Sequence, residues 1–186
     1  MKPGDLSAPE PEKNMEERQV HVVEIKAPVE DVWAEITKLK QIQKPMFGTV
    51  LETDFKPGSR MLYRSEDGKR VFILGEVHEF VPPKRFVHTF RFTNLPESPT
   101  LVEWTLEEKA GVTRVTVTHS KFVDQQKTAD SVRTSWVDIL NNIKAVVETG
   151  NVPMKTRLML GMMSAFMFMA PKDTLRQNIP ELNEKK

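Results

Sequence analysis

The stretch from Gly48 to Ser120 constrains the fold most, because it reads as six consecutive strands with no room for a crossover helix between any two. The segments Thr49–Phe55, Arg60–Ser65, Arg70–Phe80, Phe86–Thr93, Leu101–Glu107 and Thr113–Ser120 are rich in β-branched and aromatic residues. Turn-forming sequences separate them: Lys56-Pro57-Gly58-Ser59, Glu66-Asp67-Gly68-Lys69, Pro82-Pro83-Lys84, the two-proline stretch Asn94–Thr100, and Ala110-Gly111. Parallel neighbours need a connection of a dozen or more residues, so these strands are antiparallel. A long helix follows over Thr128–Thr149. Val132, Trp136, Ile139, Leu140, Ile143 and Val147 form its apolar stripe, and Gly150 is placed to cap it. A sheet with one apolar face must bury that face. The Trp136 helix is the long element able to cover it, so the expected class is α+β.

Upstream, Val20–Lys26 alternates as a strand, and Ala27-Pro28 opens a helix whose Val29, Val32, Trp33 and Ile36 share one face. A second short helix is expected over Lys38–Gln43, ending before Pro45. Residues 1–18 carry three prolines and many charges but no apolar run, which reads as a polar tail rather than a signal peptide. The expected organisation is a tail at 1–18, a domain at 19–150 and an extension at 151–186. With 27 Lys+Arg against 26 Asp+Glu, the net charge of +1 provides no whole-chain attraction for nucleic acid. The absence of cysteine excludes disulfides, thiolate metal sites and a Cys nucleophile, and is compatible with the cytoplasmic location we expect.

The order of elements and several local motifs resemble the START-like (SRPBCC) superfamily, and within it the branch related to activators of the heat-shock chaperone ATPase. The matching residues are Ala27-Pro28-Val29-Glu30-Asp31-Val32-Trp33, Phe55-Lys56-Pro57-Gly58-Ser59-Arg60, Gly75–Pro83, Arg85–Phe90 and Trp136. The likeness spans about Gln19–Gly150. It departs at Pro45-Met46-Phe47, where many relatives carry tryptophan, and it does not extend to the C-terminal segment. The resemblance implies a helix-grip fold: a curved antiparallel sheet of about seven strands around a long C-terminal helix, with two short helices after the first strand and an extra C-terminal helix here. It also implies a cavity between sheet and helix. The fold hosts carriers, cyclases, hydrolases and chaperone modulators, so chemistry must come from the site.

Four histidines, His21, His78, His88 and His119, each occupy the apolar phase of a predicted strand. Two readings stay open: a pocket with titratable walls, or separate imidazoles each satisfied by backbone or water. Glu76 and Arg70 share the phase of His78 and fit either a polar ligand group or a water-facing strand end and bulge near Gly75. No short His-x-His motif supports a metal, and no nucleophile elbow or phosphate loop is present. We expect neither metal nor cofactor. The expected function is binding of a hydrophobic or amphipathic small molecule, lipid-like or polyketide-like. Its lining would be Phe72, Leu74, His78, Phe86, His88, Phe90, Phe92, Trp104, His119 and Trp136. Two alternatives stand beside it: a cyclase- or hydrolase-type enzyme using His78, His88 or Glu76 as acid or base, and a chaperone-type protein-interaction module.

The segment Leu158–Ala170 is apolar on nearly all sides and methionine-rich. At ~1.5 Å per residue it is too short to span a ~30 Å hydrocarbon core, so no membrane span is expected. A helix apolar all round requires cover. Packing on its own domain is expected first, followed by a homodimer or partner contact and then a lipid surface met by the flanking Lys155, Arg157, Lys172 and Arg176.

Overall fold

Period-two alternation of apolar side chains builds one continuous eight-stranded sheet in the computed structural model, which describes residues 18–183. The strands are β1 (Gln19–Ile25), β2 (Ile42–Gln43), β3 (Thr49–Glu52), β4 (Arg60–Arg64), β5 (Val71–Val81), β6 (Arg85–Phe92), β7 (Thr100–Lys109) and β8 (Val112–Ser120). Their order is β1-β8-β7-β6-β5-β4-β3-β2 with every neighbouring pair antiparallel. Helix α1 (Val29–Ile36) follows β1, and the long helix α2 (Gln126–Thr149) follows β8. The sheet curls around α2 in the expected helix-grip arrangement. The polar tail expected at 1–18 falls almost wholly outside the described residues.

The α2 stripe lies where its spacing puts it. Val132, Trp136, Ile139, Leu140 and Ile143 are buried against the inner sheet face, and Gly150 caps the helix in the left-handed region (φ 78°), its N–H donating to the Val146 carbonyl. Trp104 on β7 meets Trp136 edge-to-face at 5.4 Å. On α1, Val32, Trp33 and Ile36 join the same core, and Trp33 packs against Phe80.

Two expectations are corrected here. Lys38–Gln43 is not a helix. Lys40 takes a left-handed backbone (φ 56°), Leu39 bridges to Leu51, and the chain then forms β2 and a 3₁₀ turn over Lys44–Met46. The Gln43 side-chain amide caps the exit of α1 by donating to the Ile36 and Lys38 carbonyls. That short β2 also brings the strand count to eight rather than seven.

Strand β5 carries the other surprise, two register breaks. Opposite β4, Tyr63 pairs with Ile73 but Arg64 with Val71, so Phe72 is an extra residue. Opposite β6, Val77 pairs with His88 but Glu79 with Val87, so His78 is another. Each bulge shifts the alternation by one position. Between them, β5 and β6 approach so closely that a Cβ on Gly75 would lie 2.0 Å from the Thr89 carbonyl oxygen, a position only glycine can fill. The Glu76 N–H donates to Thr89 Oγ1 at 2.8 Å in the same crossing.

The C-terminal segment returns over the domain. Helix α3 (Met154–Ala165) is latched at its start by Thr156, whose hydroxyl donates to Asn142 Oδ1 (2.8 Å) in a buried bond to α2. Three short 3₁₀ turns and a four-residue helix, α4 (Pro180–Asn183), follow. This tail lies across the outer face of β4 and β5, where Ile179 is buried with Leu62 and Val71. Arg70 Nη1 donates to the Ala170 carbonyl (3.2 Å), the Pro171 carbonyl (2.9 Å) and Thr174 Oγ1 (2.7 Å). Arg91 pairs with Glu181 at 2.6 Å, and Arg60 donates to the Glu181 carbonyl. Arg70 is thus an anchor for the chain's own tail.

Leu158–Ala170 packs on its own domain as expected first, but through one face only. Leu160 packs on Gly48, but Met154, Leu158, Met162, Phe166, Phe168 and Met169 remain exposed. Among the described residues no helix is long and apolar enough to cross a membrane.

Candidate functional site

The inner face of the sheet and the stripe of α2 do not close completely on each other. Between them lies a cavity of about 560 Å³. Strands β4, β5 and β6 supply Tyr63, Phe72, Ile73, His88, Phe90 and Phe92, and α2 supplies Val132, Trp136 and Ile139. The turn after β2 adds Met46 and Phe47, the latter held in a left-handed backbone (φ 55°). Met163, Phe166, Met167 and Met169 of the C-terminal segment form the remaining wall, a roof over the open end.

Five of the residues expected to line a pocket come together here: Phe72, His88, Phe90, Phe92 and Trp136. Phe86, Trp104 and His119 face the same interior but pack as solid core away from the cavity. Leu74, His78 and Glu76 lie elsewhere, and the bulges explain why. After the Phe72 bulge, Leu74 points outward beside Leu62, Val71 and Ile179. His78 is itself the bulged residue and is exposed, as is Glu76. Sequence reasoning missed Tyr63, Ile73, Met46, Phe47 and the roof residues. Tyr63 could have been found, since it alternates with Met61 on the inward phase of β4.

The histidines resolve into distinct environments. His119 is fully buried and fully bonded. The Trp136 Nε1–H donates to its Nδ1 (3.0 Å), so the ring proton sits on Nε2 and is donated to Thr100 Oγ1 (2.7 Å); that hydroxyl in turn donates to the Phe90 carbonyl (2.9 Å). Burial pushes its pKa down to about 3, and the neighbouring imidazoles of His88 and His21 push in the same direction. This histidine ties α2 to three strands. His21, on β1, is held below the usual imidazole range by burial and by Arg133.

His88 differs. Its Nδ1–H donates to the Thr89 carbonyl (2.8 Å), the same oxygen that presses against Gly75, and this selects the tautomer with an acceptor lone pair on Nε2. That Nε2 is buried with no hydrogen-bond partner among the described residues. Burial pushes the His88 pKa down to about 4, against the raising effect of its bond to Thr89 and with a smaller lowering from His78. The ring is therefore a neutral acceptor at physiological pH and a weak proton acceptor for chemistry. Tyr63 places a buried phenol on the same wall, its pKa raised by burial. The remaining wall is aliphatic, aromatic and thioether. No group of three or more His, Asp or Glu side chains is arranged to hold a metal among the described residues.

A cavity between a curled sheet and its long helix is a feature of many proteins, and the decisive comparison is at the level of sequence. The profile of the family described as activator of Hsp90 ATPase homolog 1-like protein matches residues 26–148. The chain belongs to that family. Its match covers α1 through nearly all of α2 and stops before the roof. Among curated proteins none matches the sequence.

Solved structures share the fold. A putative protein of the dynemicin biosynthetic locus, DynU16, aligns with TM-score 0.60 and 23% identity over 73% of this chain and 48% of that one, so this chain spans about half of it. The Aha1 dimer from Colwellia psychrerythraea aligns with TM-score 0.58 and 24% identity, covering 72% and 97% of the two chains. An HSP90 activator from Plasmodium falciparum aligns with TM-score 0.54 and 20% identity, covering 77% and 96%. At these identities the likeness is one of fold.

Proposed function

We propose that this member of the Hsp90-activator-like family binds a hydrophobic or amphipathic small molecule in the cavity between the sheet and α2. The observation that carries the reading is the cavity itself: about 560 Å³, walled by aromatic and aliphatic side chains, with few polar groups. Ligand sites of small molecules have this size and character. The polar complement narrows the ligand. Neutral His88 offers one open acceptor, and Tyr63 brings a phenol to the same lining. A largely apolar molecule bearing one or two hydroxyl or N–H groups suits both, and an anion gains no charged partner there.

Binding is favoured over acid–base catalysis by the same ring. A histidine with a pKa near 4 accepts a proton poorly at neutral pH, and Glu76 and His78 are exposed on another part of β5. Family membership supports a second reading, a chaperone-type interaction module. It would use the outer surface and be indifferent to the cavity.

The test is a titration with N-phenyl-1-naphthylamine, a neutral apolar fluorophore with one N–H. Saturable one-to-one binding is expected, weakened at least tenfold by Ile139→Trp, which fills the cavity, and less by His88→Phe, which removes the acceptor. Native mass spectrometry of protein purified from its own cells is expected to show a co-purifying small molecule. Probe fluorescence that does not saturate, or that Ile139→Trp leaves unchanged in a folded variant, refutes the cavity as the site.

A further inference from the structure

The roof has two sides, and the outer one is unexplained by the cavity. On α3, Thr156, Leu160 and Met163 face the domain. Met154, Leu158 and Met162 fall at i, i+4 and i+8 on the opposite face, with Leu158 66% and Met162 63% exposed. Phe166, Phe168 and Met169 continue this surface beyond the helix, Phe168 being 76% exposed. Scattered apolar residues on a surface need no explanation, but a contiguous set of this size does.

Charge identifies the partner. From Asn151 to Lys172 the chain contains no Asp or Glu and three cations, Lys155, Arg157 and Lys172. All three are exposed, and none pairs with a carboxylate among the described residues. At ~100° per residue, Lys155 and Arg157 fall on the two shoulders of the Met154–Leu158–Met162 stripe. An apolar stripe with cations on both shoulders matches the boundary of an anionic bilayer, with acyl chains under the stripe and headgroups beside it. A second copy fits less well. A two-fold contact sets the same patch against itself and brings like charges together.

We propose that the outward face of α3, with Phe166, Phe168 and Met169, docks on an anionic lipid surface and holds the roof of the cavity against the membrane. The proposal rests on this surface and does not depend on what occupies the cavity. It is tested on the full chain by co-sedimentation with phosphatidylcholine vesicles containing 30% phosphatidylglycerol, against vesicles of phosphatidylcholine alone. Phe168→Trp adds an exposed reporter to three tryptophans that are already buried. Preferential binding to the anionic vesicles, weakened by salt and accompanied by a blue shift of the new tryptophan, is the expected result. Lys155→Gln and Arg157→Gln should each weaken it roughly fivefold, with thermal melts unchanged because both side chains are exposed. Absence of co-sedimentation, equal binding to the two vesicle types, or full binding by the double Gln variant overturns the proposal. A dimer in light scattering that buries the Phe168→Trp reporter without lipid also overturns it, and assigns the face to a second copy.

Discussion

Acidification from pH 7 to pH 5 should cost this protein about 4 kcal/mol of stability, and two side chains account for it. His88 and His119 have folded-state pKa values pushed down to about 4 and about 3, against 6.5 when exposed. Their pKa is lower in the folded state, so the unfolded chain binds more protons across the window between the two values. Stability is therefore complete above about pH 6.5 and falls as pH drops below it. At pH 5 each histidine costs about 2 kcal/mol, since one pKa unit corresponds to ~1.4 kcal/mol. The structure supplies the cause. A proton on His119 Nδ1 would confront the Trp136 indole N–H, and one on His88 Nε2 would place a charge in a buried, unpaired position. His21, also lowered, adds in the same direction. The carboxylates of Asp67 and Glu148, held below their ordinary values by hydrogen bonds from Ser65 and Lys144, lose their contribution only below about pH 4.5 and leave this window clear. Urea denaturation at pH 7, 6 and 5 measures the slope. His119→Gln retains a donor and an acceptor but cannot titrate, and should remove about half of it. A stability independent of pH between 7 and 5, or an unaltered slope in His119→Gln, refutes the assignment of both rings as buried and neutral.

Two further substitutions probe the frame of the site. Trp136→Ala removes the ring that packs on Trp104 and leaves His119 Nδ1 without its donor, so a loss of about 3–5 kcal/mol is expected in chemical denaturation; a loss below about 1 kcal/mol would place the indole outside the core. Gly75→Ala puts a methyl group into the Thr89 carbonyl and should cost about 3 kcal/mol. It should also shift the His88 ring ¹⁵N resonances, since that carbonyl orients the imidazole; a variant with parental stability and unshifted resonances would show that the two strands can part without consequence.

The fold was largely legible because its signals are periodic. Alternation located the inward faces of β6, β7 and β8, and a 3.6-residue period located the buried stripe of α2, including Trp136. The site was legible only where that periodicity ran unbroken. His88, Phe90 and Phe92 lie on a regular strand and were read on the correct face. Leu74 and His78 lie on β5, where two bulges each move the phase by one residue; Gly75 hinted at a bulge in this strand, but nothing in composition fixed the breaks at Phe72 and His78. Lys38–Gln43 misled because a left-handed Lys40 breaks the helix without a glycine to announce it. Asn142 lies off the stripe and reads as solvated, yet it is buried because α3 returns over it. For Leu158–Ala170 the demand for cover was visible, but an all-apolar helix carries no phase to say which face meets the domain.

The hydrogen-bonded chain from Trp136 through His119 and Thr100 to the Phe90 carbonyl has a consequence for the uniqueness of the fold. The apolar stripe of α2 nearly repeats with each turn, so a slide of one turn, about 5.4 Å, would set similar side chains against the same sheet at small hydrophobic cost. The polar chain does not repeat. After such a slide the indole N–H would have no acceptor, and His119 Nδ1 would be an orphan in a dry interior, a loss of about 1–3 kcal/mol for each group. Hydrophobic contact holds the helix against the sheet, and one imidazole with a single competent tautomer selects among the positions that contact alone would leave nearly equal in energy.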